Sequence, residues 1–395
     1  MLINMQSNYQ NFSSMSSYFD KTITSYENSK IKQIGTCAFY GCYSLTEVNC
    51  SNCISINNYA FYGCSSLATI SFSNCNYVGS STFAYCSSLT TANFPSCTSV
   101  DDYAFRSCSL LATISFPSCE YIGSYAFQYC YSLSTAIFSN AIYVGSSAFY
   151  QCSALTTASF PSAITIGSNA FAYCSSLTTI SFPNCSYIGT GAFAGCSSLA
   201  TASFPNCSYI DHDGFKKGSK LVSISFPNCE YIGQRAFQSC ILLTSINFPN
   251  CSYIGYAAFQ SCYSLISINL PICESIDGTV FGSCSKLVTV NLPNCRFIST
   301  FVFQACYSLT TVSLPICECI SNNAFWQCYN LISLYLNSVS SVPVLTGGAV
   351  FYSTPIGGYS VSARRYGSVF VPSSLYSSFL TASYWSSISA RIVSI

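Results

Sequence analysis

The chain has 395 residues, half of them hydrophobic, so core material for two or three ordinary domains is present and a disordered chain is excluded. Charged residues make up only 6%, and 13 Lys and Arg against 12 Asp and Glu leave a net charge of +1. The basic stripe that a phosphate backbone requires is missing, which excludes nucleic acid as a partner, and no run of roughly eighteen apolar residues is there to span a membrane.

Residues 1–30 lack the charged start, apolar middle and small-residue cleavage site of an ordinary export signal, and they show no sustained period. They read as a leader or cap. From residue 31 a repeat takes over. A phenylalanine stands every 22 residues from Phe39 to Phe325, fourteen times without interruption, and a leucine follows each of them six positions later, from Leu45 to Leu331.

The unit is clearest in residues 177–198, where two periods share one repeat. Thr179-Ile180-Ser181-Phe182 alternates polar and apolar side chains, the mark of a half-buried strand. Pro183-Asn184 ends it, because proline cannot donate to a ladder and the pair favours a turn. Ile188, Ala192, Phe193 and Cys196 then follow at offsets that suit one face of a short helical or 3-10 stretch. Neither piece can bury its apolar side alone, so the coils must bury one another. The expected fold is an α/β solenoid of 14 coils over residues 31–337, with a parallel sheet on one face and short helical or 3-10 segments on the other.

Of the 27 cysteines, thirteen lie three residues after the repeat phenylalanine and eleven follow the strand turn. Parallel side chains of in-register coils hold their Cβ atoms wider apart than a disulfide prefers, so buried reduced thiols are expected, the second column bonding the turn backbone. Cys50 and Cys53, with Cys37 and Cys42, have zinc-ligand spacing, yet the repeat already accounts for Cys53 and, through the strand phenylalanine that it replaces, Cys50; no metal and no cofactor are expected.

Three features bear on function. The outward strand positions form rows, Thr135, Thr157, Thr179 and Thr201 beside Ser159, Ser181 and Ser203, which either bind a partner through their hydroxyls or simply suit a solvated sheet face. Tyrosines six residues before the phenylalanine, Tyr187 and Tyr209 among them, either stack on sugar rings or cover the turn edge. The run from Asp211 to Lys220 holds the only histidine, His212, with Lys216 and Lys217. Adjacent residues do not converge on one point, so this run reads as an exposed loop and a candidate partner contact rather than a catalytic or metal site. No Ser/His/Asp set and no phosphate loop is present, and an enzyme is not expected.

After Asn337 the period breaks. Residues 338–395 are expected to cap the open end of the sheet, with a strand at Val369–Val371 and a helix from about Leu375 to Ala382. Ser373 or Ser374 would be its cap, Leu375 and Phe379 would face inward, and Trp385 would anchor it.

With its Ile-Gly pair and Ala-Phe-x-x-Cys signature, as in Ile166-Gly167, Ala170-Phe171 and Cys174, the unit resembles the BspA-like class of leucine-rich repeat proteins over residues 31–337. Ser353-Thr354-Pro355-Ile356-Gly357, Val369 to Leu375, Ala382, Trp385 and Arg391-Ile392 resemble the tail module of repeat proteins from gut Firmicutes and their phages, with Phe379 where that tail usually has tyrosine. The resemblance implies a leucine-rich-repeat solenoid for adhesion or partner binding, displayed on a bacterial cell surface or phage virion after a cytoplasmic stage. The partner would be a host or cell-surface protein or glycan. The alternative is a purely structural virion or assembly component.

Overall fold

The computed structural model describes residues 21–358 and 366–395. These wind about 16 turns of parallel-strand solenoid, divided between two compact units, residues 1–199 and 200–395.

In the first unit each coil contributes two strands. The longer has three residues, as in Thr135–Ile137, Thr157–Ser159 and Thr179–Ser181, which pair in parallel with Thr135 opposite Thr157 and Thr157 opposite Thr179. The middle side chain, such as Ala136 or Ala158, turns into the core while its neighbours face outward, as alternation on a pleated strand requires. The second strand has two residues. It runs from Gln33–Ile34 to Tyr187–Ile188, coil upon coil, with Ile166 opposite Ile188. The β-branched residue of this dipeptide is buried, so the segment that brings the chain back inward is itself a ladder.

The stretch after it differs from the expected helical or 3-10 turn. It is a chain of single turns with no helix. In the coil around Phe171, Ala170, Ala172 and Cys174 donate their N–H to the carbonyl three residues back, while Asn169, Phe171 and Tyr173 donate to Thr190, Ala192 and Ala194 of the next coil. A helix would spend every donor inside its own coil, whereas here half of them join coils. The left-handed backbone of Asn169 (φ 56°) and Tyr173 (φ 60°) makes the alternation possible. In the next coil both positions are glycine, Gly191 and Gly195, which adopt that conformation without steric cost.

The core lies between these faces. The repeat phenylalanines form one stacked column, with Phe149, Phe171 and Phe193 at centroid spacings of 5.1 and 5.4 Å. The strand phenylalanines form a second, which meets the first edge to face, as Phe171 does Phe182 at 5.6 Å. Leu45 to Leu199 and the isoleucines and valines of the short strands fill the remaining space, nearly all of them without exposed surface. The glycine of the Ile-Gly pair has its own reason. A Cβ on Gly167 would lie 2.7 Å from the Gly145 carbonyl carbon and the Ser146 nitrogen, so successive coils touch backbone to backbone there.

The second unit repeats this arrangement, from Thr201–Ser203 paired with Ser223–Ser225 to Thr311–Ser313 paired with Ser333–Tyr335. Past the last repeat the ladder continues, because Ser368–Val371 pairs with Ser333–Tyr335 and Ile392–Ser394 pairs with Val369–Val371. The helix between them spans Tyr376–Thr381 and buries Phe379 against Trp385, at 5.1 Å and nearly perpendicular. Trp385 also donates its indole N–H to the Pro343 carbonyl at 2.7 Å. Neither serine acts as the expected cap: no side-chain cap bond forms, and the Ser373 hydroxyl donates to the Ile395 carbonyl instead, tying the turn to the last strand. Leu375 is half-buried rather than fully inward.

At the other end, Ser25–Glu27 pairs in parallel with Glu47–Asn49. The ladder therefore starts inside the stretch expected as a leader, and residues 1–20 of that stretch lie outside the described residues.

Candidate functional site

The outward strand rows are the most regular surface of the first unit. Register places Thr135, Thr157 and Thr179 side by side, with Ser159 beside Ser181 in the next row. Thr135, Thr179 and Ser181 are exposed, and Thr157 and Ser159 are half-buried. Parallel pairing satisfies the backbone of these strands, which leaves the side-chain hydroxyls to face solvent. In the second unit Thr201 and Ser203 are exposed opposite Ser223 and Ser225. There the serine row turns to asparagine, and Asn291 donates its amide to Asn269 at 2.7 Å.

The tyrosine column lies on the short strands. Tyr187 is half-buried opposite Thr165 in the first unit. In the second, the rings of Tyr209 and Tyr231 stack at 4.3 Å and those of Tyr231 and Tyr253 at 4.9 Å. Rings stacked this closely cover the faces that they turn to one another.

The run with the only histidine is tied together by polar contacts, ion pairs at Asp213 among them. His212 Nδ1 lies 2.5 Å from Asp211 Oδ1. Asp213 accepts from Arg235 of the next coil at 2.9 and 3.1 Å and from Lys216 at 3.1 Å. Partial burial opposes ionisation of Asp213, but the hydrogen bonds and charges of Arg235 and Lys216 outweigh it and hold the carboxyl below its usual range. Lys217 is exposed, on a left-handed residue with φ of 61°. Among the described residues no group of three or more His, Cys, Asp or Glu side chains is arranged to hold a metal.

All 27 cysteines are free thiols, and all but Cys37 and Cys319 are buried. The turn column donates to the backbone two residues on, as Cys185 does to the Tyr187 carbonyl at 3.3 Å. The other column also bonds, which the sequence did not signal: Cys174 donates across the coils to the Phe149 carbonyl at 3.1 Å. Burial pushes the Cys97 thiol up to about 12 and that of Cys53 to about 11. At neutral pH these groups are donors and not nucleophiles.

Two surfaces were not foreseen. In the second unit a cleft of about 650 Å³ is bordered by Ile272, Ile316 and Glu274, with Arg296 already held by Glu318 at 2.8 Å. In the first unit the turn ladders carry tyrosines one or two positions past the repeat phenylalanine, interrupted by Arg106. One signal for the latter stands in the sequence, since Arg106 is the only Lys or Arg between Lys32 and Lys216.

The family model for the BspA-type leucine-rich repeat region matches residues 5–111, 98–222 and 208–332, in six copies. No curated protein matches the sequence. Among solved structures, a leucine-rich repeat protein from Bacteroides ovatus shares 19% identity, with 94% of this chain and 84% of that one covered at a TM-score of 0.46. A leucine-rich cell surface protein from Faecalibacterium prausnitzii shares 18% over 93% and 90% of the two chains, at a TM-score of 0.37. A Treponema pallidum leucine-rich repeat protein shares 28% over 46% of this chain and 79% of that one, at 0.34. No helix among the described residues is long and apolar enough to cross a membrane.

Proposed function

The chain belongs to the BspA-type leucine-rich repeat family, and from that premise we propose that it is a non-catalytic binding protein that engages a partner protein or glycan through the outward strand face, displayed on a bacterial cell surface or a phage virion. One observation carries the reading: Thr135, Thr157 and Thr179, with Ser159 and Ser181, form in-register rows of side chains on a scaffold whose backbone bonds are already made. Such a face is preorganised, so binding does not have to order it, and its chemistry changes by substitution without disturbing the fold. The rest of the molecule supports a scaffold over a catalyst, because its thiols are protonated donors and its one histidine is held by the adjoining aspartate. His212, Lys216 and Lys217 of the second unit are a further contact patch in this reading.

The test is a binding screen of the whole chain on protein and glycan arrays and on intact cells, comparing wild type with a Thr157→Arg/Thr179→Arg variant. Thr179 is exposed and Thr157 half-buried opposite it, so the two like charges should cost about 1 kcal/mol, and the variant should stay folded while losing the binding that wild type shows. Binding that survives in the variant would move the interface elsewhere. No binding at all, together with incorporation into particles, would favour a purely structural role in assembly.

A further inference from the structure

On the side opposite the three-residue strands, the first unit carries a strip of tyrosines in two runs. Tyr62 and Tyr85 meet at 5.3 Å with their rings tilted by 59°. Tyr129 and Tyr150 meet at 5.8 Å with their rings nearly perpendicular. Tyr40 closes one face of Tyr62, stacked at 4.9 Å, and Tyr125 one face of Tyr103 at 4.7 Å, whereas Tyr85, on the coil before Arg106, keeps 41% of its surface exposed. Arg106 stands in the gap between the two runs. Its guanidinium carbon lies 5.6 Å from the Tyr103 ring centre and 6.0 Å from that of Tyr129.

Among the described residues the charge of Arg106 has no counter-ion. Lys216, Arg235 and Arg296 each hold a carboxylate, whereas among the described residues Arg106 has none within ion-pair distance, and its covered Nε has no hydrogen-bond partner. On the adjoining coil the Gln128 side-chain oxygen is likewise covered and unbonded. Two ring faces compensate a half-buried cation only in part, and an arriving carboxylate supplies the missing counter-charge at the part of the guanidinium that solvent reaches. The surroundings fix what else that ligand carries. Arg106 is the only Lys or Arg between Lys32 and Lys216, so a ligand on this strip meets a single positive charge and draws the rest of its binding from uncharged groups. The neighbours are phenols, an amide and ring faces, which suit hydroxyls and the apolar face of a pyranose.

The geometry points to a binding site for a carboxylate-bearing sugar, with the Arg106 guanidinium on the carboxylate and the exposed Tyr85 ring against the sugar. It lies on a different face from the strand rows and does not depend on them.

Titration calorimetry on the whole chain tests this with three probes: oligogalacturonate, its methyl ester and polyglutamate. Oligogalacturonate should bind, and esterification should weaken it by about tenfold or more, because the ester removes the ligand's charge and leaves a single ionised partner where there were two. Arg106→Gln should lose the same factor and Arg106→Lys should recover part of it. The ester comparison uses the wild-type protein, so it stands even where a variant folds poorly. Absence of oligogalacturonate binding, equal binding of the ester, or wild-type affinity in a folded Arg106→Gln protein would overturn the site. Polyglutamate binding as tightly as the acidic sugar would overturn the assignment to a sugar.

Discussion

Replacing Gly167 by alanine probes the contact that sets the distance between coils. The new Cβ would stand 2.7 Å from the carbonyl carbon of Gly145 and the nitrogen of Ser146, where ordinary contact begins at 3.4 Å. Both neighbours are backbone, so relief requires the coils to part by roughly 0.7 Å, comparable with the shifts that cost about 1–3 kcal/mol in overfilled cores. The same movement stretches the 2.8 Å bond from Gly167 N–H to the Val144 carbonyl, which adds about 0.5–1.5 kcal/mol. Alanine restricts the unfolded chain and returns about 0.4–1 kcal/mol. The sum is a loss of about 2 kcal/mol, or about 4–8 °C in melting temperature for a unit of this size. Urea unfolding followed by circular dichroism measures it, and hydrogen exchange at the amides of the flanking coils localises it. Gly348→Ala is the control, because a Cβ there meets only the Tyr384 ring at 3.5 Å. If Gly167→Ala unfolds within 0.5 kcal/mol of wild type, a margin usual for surface changes, the coils are not fixed by backbone contact at the Ile-Gly pair and the reasoning fails.

Phe171→Ala removes a ring stacked on both sides and should cost about 3–5 kcal/mol in the same urea assay. Burial raises the thiols of Cys53 and Cys97 to about 11 and 12, so the unfolded chain loses these protons first as pH rises. Their contribution is complete below the ordinary thiol range near pH 9 and is lost between there and pH 12; melts taken across that window should show a steep alkaline decline, shallower in a variant with several turn-column cysteines changed to alanine. At pH 7 a thiol reagent should label the buried cysteines of the folded chain far more slowly than those in denaturant. Removing residues 338–395 exposes the strand Ser333–Tyr335 and the buried Leu334 beneath it, so light scattering should report aggregation, and an unchanged monomeric melt would refute a capping role for that segment.

Much of the fold can be read from residue types alone. The 22-residue spacing of Phe39 to Phe325 demands stacking, because no single coil can bury a phenylalanine on its own. The proline-asparagine turn and the alternation of Thr179 to Phe182 place one strand per coil. The second strand escapes this reading, because a two-residue ladder such as Tyr187–Ile188 is too short to show a period. The turn ladder escapes it too. Residues such as Asn169 and Tyr173 give no local sign of a left-handed backbone, which the inter-coil bonds impose. At the candidate sites, the hydroxyl rows follow from strand alternation, but the closeness of the tyrosine rings and the missing counter-ion of Arg106 depend on side chains in separate coils.

Residue types and their spacing dictate what repeats: which side chains are buried, where each coil turns, and that coils must pile in register. How the coils are joined is a matter of three-dimensional packing, because it depends on which donor faces which carbonyl 21 or 22 residues away, as Phe171 faces Ala192. Packing also decides that Arg235 and Arg296 reach carboxylates on neighbouring coils while Arg106 reaches none among the described residues, since ion pairing between coils is a matter of reach and orientation that spacing along one chain does not encode.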